Sequence, residues 1–178
     1  FVVAADSAVR GGDAPTAVEA LTPLVQDLIT GGDWLRDVYR RVPDGASTAA
    51  YMLHRPDDAA WSVLSVVWAP HASTPIHDHL VWAVSGVLEG ELRETQYRRT
   101  ERTVLEPAGT ITAPTGSVSS MFPPDDIHGV ENPGDVTAVA IQVYGGDLAR
   151  LTRHIFDLEA GTVRDYLTTY SSPVDSAL

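Results

Sequence analysis

The chain has 178 residues, 44% of them apolar, and a mean hydropathy near zero, which suits one domain with a substantial core and not a disordered segment. Its net charge of −12 argues against a nucleic-acid backbone or an anionic membrane as partner. It has no cysteine, which excludes disulfides, thiolate metal ligands and a cysteine nucleophile and fits a reducing cytoplasm.

The chain begins without methionine, as a trimmed chain does, and Phe1-Val2-Val3-Ala4-Ala5 is too short for the apolar core of a secretory signal. No apolar run reaches the roughly 18 residues that a spanning helix needs. Residues 1–13 are expected to form a loose lead-in. Asp13-Ala14-Pro15 predicts a helix start, with Asp13 as N-cap and proline in the first turn. Val18, Leu21, Val25, Leu28 and Ile29 follow at helical spacing, and Gly31-Gly32 ends the run. A second short helix is expected over 33–41, burying Trp34, Leu35 and Val38, before the turn at Pro43-Asp44-Gly45.

From residue 49 the texture becomes β. Short runs at 49–54, 61–68, 81–88, 92–97, 103–105, 109–113, 117–122, 128–131 and 136–144 alternate with turn residues, and 153–157 with 162–168 suggests a hairpin. Many short strands at this spacing predict a sandwich or barrel. The expected organisation is a helical segment at 1–48 packed on a barrel with its C-terminal hairpin at 49–170, and a frayed tail at 171–178.

The chemistry concentrates on three histidines. His77 and His79 stand in Thr74-Pro75-Ile76-His77-Asp78-His79, and His128 in Asp125-Asp126-Ile127-His128-Gly129-Val130-Glu131-Asn132. Residues i and i+2 of a strand share a face, so His77 and His79 can offer two imidazoles to one ion. His128 arrives from a distant segment that also reads as β. Such a three-nitrogen site with open positions suits non-haem iron, and zinc accepts the same ligands.

The layout resembles the cupin superfamily: a first block with His-x-His and trailing Gly86 and Gly90, then a second with Pro114, Gly116, His128 and Asn132. That resemblance implies a mainly β cupin double-stranded β-helix (jelly-roll barrel) with N-terminal α-helices. The glutamate usual in the superfamily is missing, and Trp82, Ala83 and Val84 occupy the positions where it would fall. Three neutral imidazoles leave a divalent ion its full charge, which favours an anionic ligand such as a thiolate.

Residues 74–79, the run from Trp82 to Thr95, and Gln142-Val143-Tyr144-Gly145-Gly146-Asp147-Leu148 resemble the thiol dioxygenases: cysteine dioxygenase and its bacterial relatives acting on 3-mercaptopropionate. The likeness covers roughly residues 49–157. It implies an Fe(II) enzyme holding iron through His77, His79 and His128 and converting a small thiol to a sulfinate with O2. The family's Ser-x-His-x-Tyr reads Ala140, Gln142 and Tyr144 here. Gln142 can hydrogen-bond but cannot carry a proton as histidine does. The cysteine–tyrosine crosslink of animal-type members is impossible, with Val84 at that place, so the likeness is to the bacterial type.

By that resemblance Tyr144 would donate a hydrogen bond to oxygen or to the substrate, with Gln142 beside it. A small thiol acid needs a carboxylate anchor, for which Arg55 and Arg164 are candidates because a guanidinium grips carboxylate bidentately. His54 is a candidate for the pocket, and Trp82 for its wall or the core. Asp78 should alternate away from the metal, as a second support or as surface; Glu89, Glu91 and Glu94 read as solvated; His71 and His154 match no motif. Two alternatives stay open: an Fe(II) cupin oxygenase acting on a non-thiol or larger substrate in a specialised biosynthetic pathway, and a non-enzymatic cupin that binds a ligand through metal. The oligomeric state is undetermined.

Overall fold

The structure is a computed structural model that describes residues 1–100 and 105–171. Two helices come first, α1 (Val2–Arg10) and α2 (Ala14–Thr30), then a 3-10 turn at Asp37–Arg40. Eleven strands follow among the described residues: β1 (Thr48–His54), β2 (Ser62–Trp68), β3 (Ile76–His77), β4 (Ala83–Glu89), β5 (Glu91–Arg99), β6 (Leu105–Pro114), β7 (Val118–Met121), β8 (His128–Glu131), β9 (Ala138–Tyr144), β10 (Arg153–Asp157) and β11 (Thr162–Tyr166). They form two antiparallel sheets, ordered β1-β2-β9-β4-β7 and β11-β10-β3-β8-β5-β6.

Helix α2 starts as its sequence predicts. Asp13 accepts hydrogen bonds from the Thr16 amide (3.1 Å) and hydroxyl (2.7 Å), satisfying a donor that the first turn leaves open. Its buried stripe of Val18, Leu21, Val25 and Ile29 lies on β4 and β7. The lead-in at 1–13 is not loose: α1 forms because it packs on α2 and because Asp6 accepts the Trp61 indole N–H at 3.0 Å. The expected second helix shrinks to the 3-10 turn. There Tyr39 is buried and Val38 is exposed, since three residues per turn bring different positions inward than 3.6 do, while Leu35, ahead of the turn, is buried.

Strand β9 is buried along its whole length because both its faces are covered. Val139, Ile141 and Val143 join the helix-side core with Leu21, Val25 and Ile29. Ala138, Ala140, Gln142 and Tyr144 alternate to the interior between the sheets, and β2 divides in the same way, with Val63 and Val67 outward. The helices therefore close the outer face of one sheet, and the space between the sheets is left for the site. The expected strand at 103–105 falls mostly outside the described residues. Of the tail expected to fray at 171–178, Ser171 is held, its N–H donating to the Ala50 carbonyl at 2.8 Å and its hydroxyl accepting from the Ala50 amide at 3.3 Å, and the remainder lies outside the described residues. Among the described residues no helix is long and apolar enough to cross a membrane.

Candidate metal centre

Strands β3 and β8 pair so that His77 and His128 are direct cross-strand partners, which places both side chains on one face. His79 lies just past β3, where the chain turns. Buried Asp126 fixes that turn by accepting from the amides of His79 (2.9 Å) and Leu80 (2.6 Å), with Leu80 at a positive φ of 60°. The Nε2 atoms converge: 3.2 Å separates His77 from His79, and 3.3 Å separates His79 from His128. The three residues form a group that could hold a metal ion.

Their protonation suits that use. Burial, and then the neighbouring His128, push His77 down to about 3. The same causes, with His77 and Arg153 added, hold His79 well below the ordinary histidine value. The His77 Nδ1 lies 2.9 Å from the Pro75 carbonyl and so carries the proton, leaving Nε2 with its lone pair inward. The His128 Nδ1 lies 3.1 Å from Glu94 Oε1, off the axis of a straight hydrogen bond. Three inward lone pairs at this spacing repel one another unless a cation sits among them, so the donor set fits a divalent ion.

Glu94 is thus not the solvated surface residue its sequence position suggests. Its side chain is largely buried behind His128. Burial raises its pKa, but the adjoining His128 and the Gln96 amide outweigh this and hold it below the usual carboxylate value. The signal was present in the alternation: Leu92, Glu94 and Gln96 share one face of β5, and Gln96 is the cross-strand partner of His128.

A cavity of about 310 Å³ opens over the histidines. Gln142, Tyr144 and Arg164 line it. The Tyr144 ring meets His79 edge-on at 5.0 Å, and its hydroxyl donates to Gln142 Oε1. The phenol proton is directed at Gln142, and the phenol oxygen also presents lone pairs to the cavity. Burial keeps this phenol protonated by raising its pKa further. The Gln142 amide in turn donates to the hydroxyl of Ser85, its cross-strand partner on β4, at 3.4 Å.

Three expected pocket residues lie outside the cavity. Arg55 is held in an ion pair with buried Asp147, which also accepts from the Tyr170 hydroxyl at 2.6 Å. The register of β1 shifts between Met52 and His54, and the His54 ring packs on Trp61 at 5.1 Å. Trp82 packs on the helix-side core and against Gly145, whose absent side chain would clash with the indole (2.4 Å to Nε1). Asp78 does turn away from the triad, accepting from the His154 amide (2.7 Å) and facing its ring Nδ1 at 2.6 Å. This gives His154 a structural part that no motif announced.

Arg153 was missed. It is 2% exposed and lines the cavity. Its Nη1 donates to the Asp78 carbonyl at 2.9 Å, its Nη2 to the Thr168 hydroxyl, and its guanidinium lies over the Tyr166 ring. Its Nε has no hydrogen-bond partner among the described residues. A buried donor without a partner is costly, and here it sits at the wall of a cavity. The sequence signal was its inward alternation with Ile155.

No protein-family model matches the chain. Among solved structures it is similar to oxalate oxidase in complex with the substrate analogue glycolate, with a TM-score of 0.50 and 18% identity over 65% of this chain; the chain spans 61% of that one's length. It is also similar to an uncharacterized conserved protein with a double-stranded β-helix domain from Klebsiella pneumoniae (TM-score 0.49, 17% identity, 61% of this chain and 79% of that chain). A cupin domain of an XRE-family transcriptional regulator from Enterobacter cloacae gives a TM-score of 0.42 at 15% identity over 56% of this chain and 96% of that chain. The likeness is one of fold: the chain has the cupin double-stranded β-helix with N-terminal helices. It is a cupin-fold protein with three histidines gathered where a metal ion could sit.

Proposed function

We propose that the chain is a mononuclear non-haem iron dioxygenase that oxidises a small-molecule thiol to a sulfinate with O2. The observation that carries the reading is the convergence of three imidazoles, with no carboxylate among them, in a cavity that also holds a buried arginine whose Nε has no partner among the described residues. Bound there, ferrous iron would supply oxygen activation and a Lewis-acidic seat that keeps the thiol as its thiolate. The balance RS⁻ + O2 → RSO2⁻ puts both oxygen atoms on sulfur, which is oxidised as O2 is reduced, with no proton left over.

The protein's part is positioning. His77, His79 and His128 hold the ion without neutralising it, so an anionic ligand is favoured. Arg153, in place of Arg55, anchors the carboxylate of a thiol acid; it is already fixed by Asp78 and Thr168, so little freedom is lost on binding. Tyr144 and Gln142 orient the substrate through the phenol oxygen, which accepts. Leu64, Val66 and Ile155 supply an apolar wall that excludes water.

Protein loaded anaerobically with iron(II) and offered a panel of small thiols tests the reading. Oxygen uptake with sulfinate formation is expected, and His77→Ala or His128→Ala should lose iron and activity while keeping the fold. Full activity in an iron-free preparation overturns it. No turnover with any thiol also overturns it and favours an iron cupin oxygenase acting on a non-thiol substrate, a reading supported by Gln142, which cannot relay a proton.

A further inference from the structure

The cavity contradicts the rest of the molecule in charge. The chain carries 24 acidic residues against 12 basic ones, yet none of the described residues lining the cavity is an Asp or Glu, while Arg153 and Arg164 both are lining residues. One arginine is enough for the carboxylate of a small thiol acid. The second is Arg164, exposed at the rim and without an ion partner among the described residues.

Its place follows from the register. Arg164 pairs with Ile155, Ile155 with His77, and His77 with His128, so the four form one row across the sheet. Paired residues share a face, and two strand spacings put Arg164 about 10 Å from the His77 backbone. Arg153 lies on the same face of β10 as Ile155, opposite Tyr166. The cationic groups thus run from the histidines to the rim. The lining also includes the polar Thr48, Thr168, Thr169 and Ser171. A volume of about 310 Å³ lies at the lower end of the range for drug-sized ligands, about 300–1,000 Å³, and exceeds what the smallest thiol acids fill.

Resting on the thiol reading above, we propose that the substrate is an extended dianionic thiol: its sulfur goes to the three-histidine site, one carboxylate to Arg153, and a second anionic group, further along the chain, to Arg164 at the rim. Arg164 is then the residue that determines specificity for the long substrate over the short one.

N-succinyl-cysteine and N-butanoyl-cysteine form a matched pair, alike in thiol and α-carboxylate and differing by a terminal carboxylate in place of a methyl group. Their dissociation constants are measured by calorimetry on the iron-loaded protein without oxygen. The succinyl compound should bind about tenfold tighter or more, as a charge-assisted hydrogen bond provides. In Arg164→Gln the ratio should fall to near one, and in Arg164→Lys part of it should return. A ratio near one in the wild type, or a ratio that Arg164→Gln leaves intact, overturns the proposal. The two readings fail separately: oxygen uptake with an equal ratio sinks only the second anionic subsite, whereas a large Arg164-dependent ratio without oxygen uptake sinks only the thiol oxidation.

Discussion

Glu94 stands behind His128 with a carboxylate oxygen 3.1 Å from Nδ1, which favours the tautomer that carries its proton there. The negative charge that the ligand set itself lacks is thereby supplied one residue further out. It can strengthen the metal–nitrogen bond without occupying a coordination position. Glu94→Gln keeps the shape and removes the charge. Iron affinity should fall about 10- to 100-fold, the usual cost of losing such a partner, with thermal stability of the metal-free protein little changed. Metal titration against a competing chelator reads this, and unchanged affinity would show that Glu94 merely fills space. One reason explains why Glu94 reads as solvated in the sequence and why Arg153 escapes notice there. Each is a charged residue on a strand, which normally means solvent, and only the register with a partner strand reveals that it faces inward.

At the scale of elements, the helix α2 and strand β4 depend on a close approach at Gly86. A Cβ there would lie 2.8 Å from Val25 Cγ1 and 3.0 Å from Ile29 Cγ2. Both neighbours are β-branched and stiff, so the helix must move as a body. Gly86→Ala should cost about 1–3 kcal/mol, as overpacking of a tight core does, while iron content stays normal because the contact lies on the sheet face away from the histidines. Chemical denaturation with metal analysis on the same samples checks both halves; an unshifted midpoint would mean that the interface is looser than the geometry shows. The legible elements were those whose own residues decide them. Asp13, Pro15 and the stripe from Val18 to Ile29 spell out α2, and the alternation of Gln142 with Tyr144 places them on one face of β9. Helix α1 and the 3-10 turn were misjudged because their stability is tertiary. One depends on Trp61 reaching back to Asp6, and the other on which side chains the sheet accepts. Arg55 was a reasonable anchor from sequence, since nothing local foretold that Asp147 would take it from 92 residues away.

For the whole molecule, holding a metal site ready has a consequence for folding. His77 and His79 are kept neutral by burial, whereas in the unfolded chain they bind protons near pH 6.5. Below that pH the unfolded state takes up protons that the folded state refuses, so stability falls as pH falls, and for His77 the loss continues toward pH 3. The slope is up to about 1.4 kcal/mol per pH unit for each histidine. An opposing effect exists: the −12 charge repels itself, and acid relieves it. That relief requires carboxylates to protonate, which in an ordinary environment begins near pH 4.5 and lies lower for Asp6, Asp58 and Glu131, held down mainly by hydrogen bonds to Trp61 and Arg10, to Arg10, and to Arg93. Between pH 6.5 and 5 the histidines therefore dominate. Urea unfolding of metal-stripped protein should show a clear loss of stability from pH 7 to pH 5, and iron should raise stability at pH 7 by binding only the folded form. Equal unfolding free energies at the two pH values would mean that His77 and His79 do not stay neutral in the folded protein, as the metal site requires.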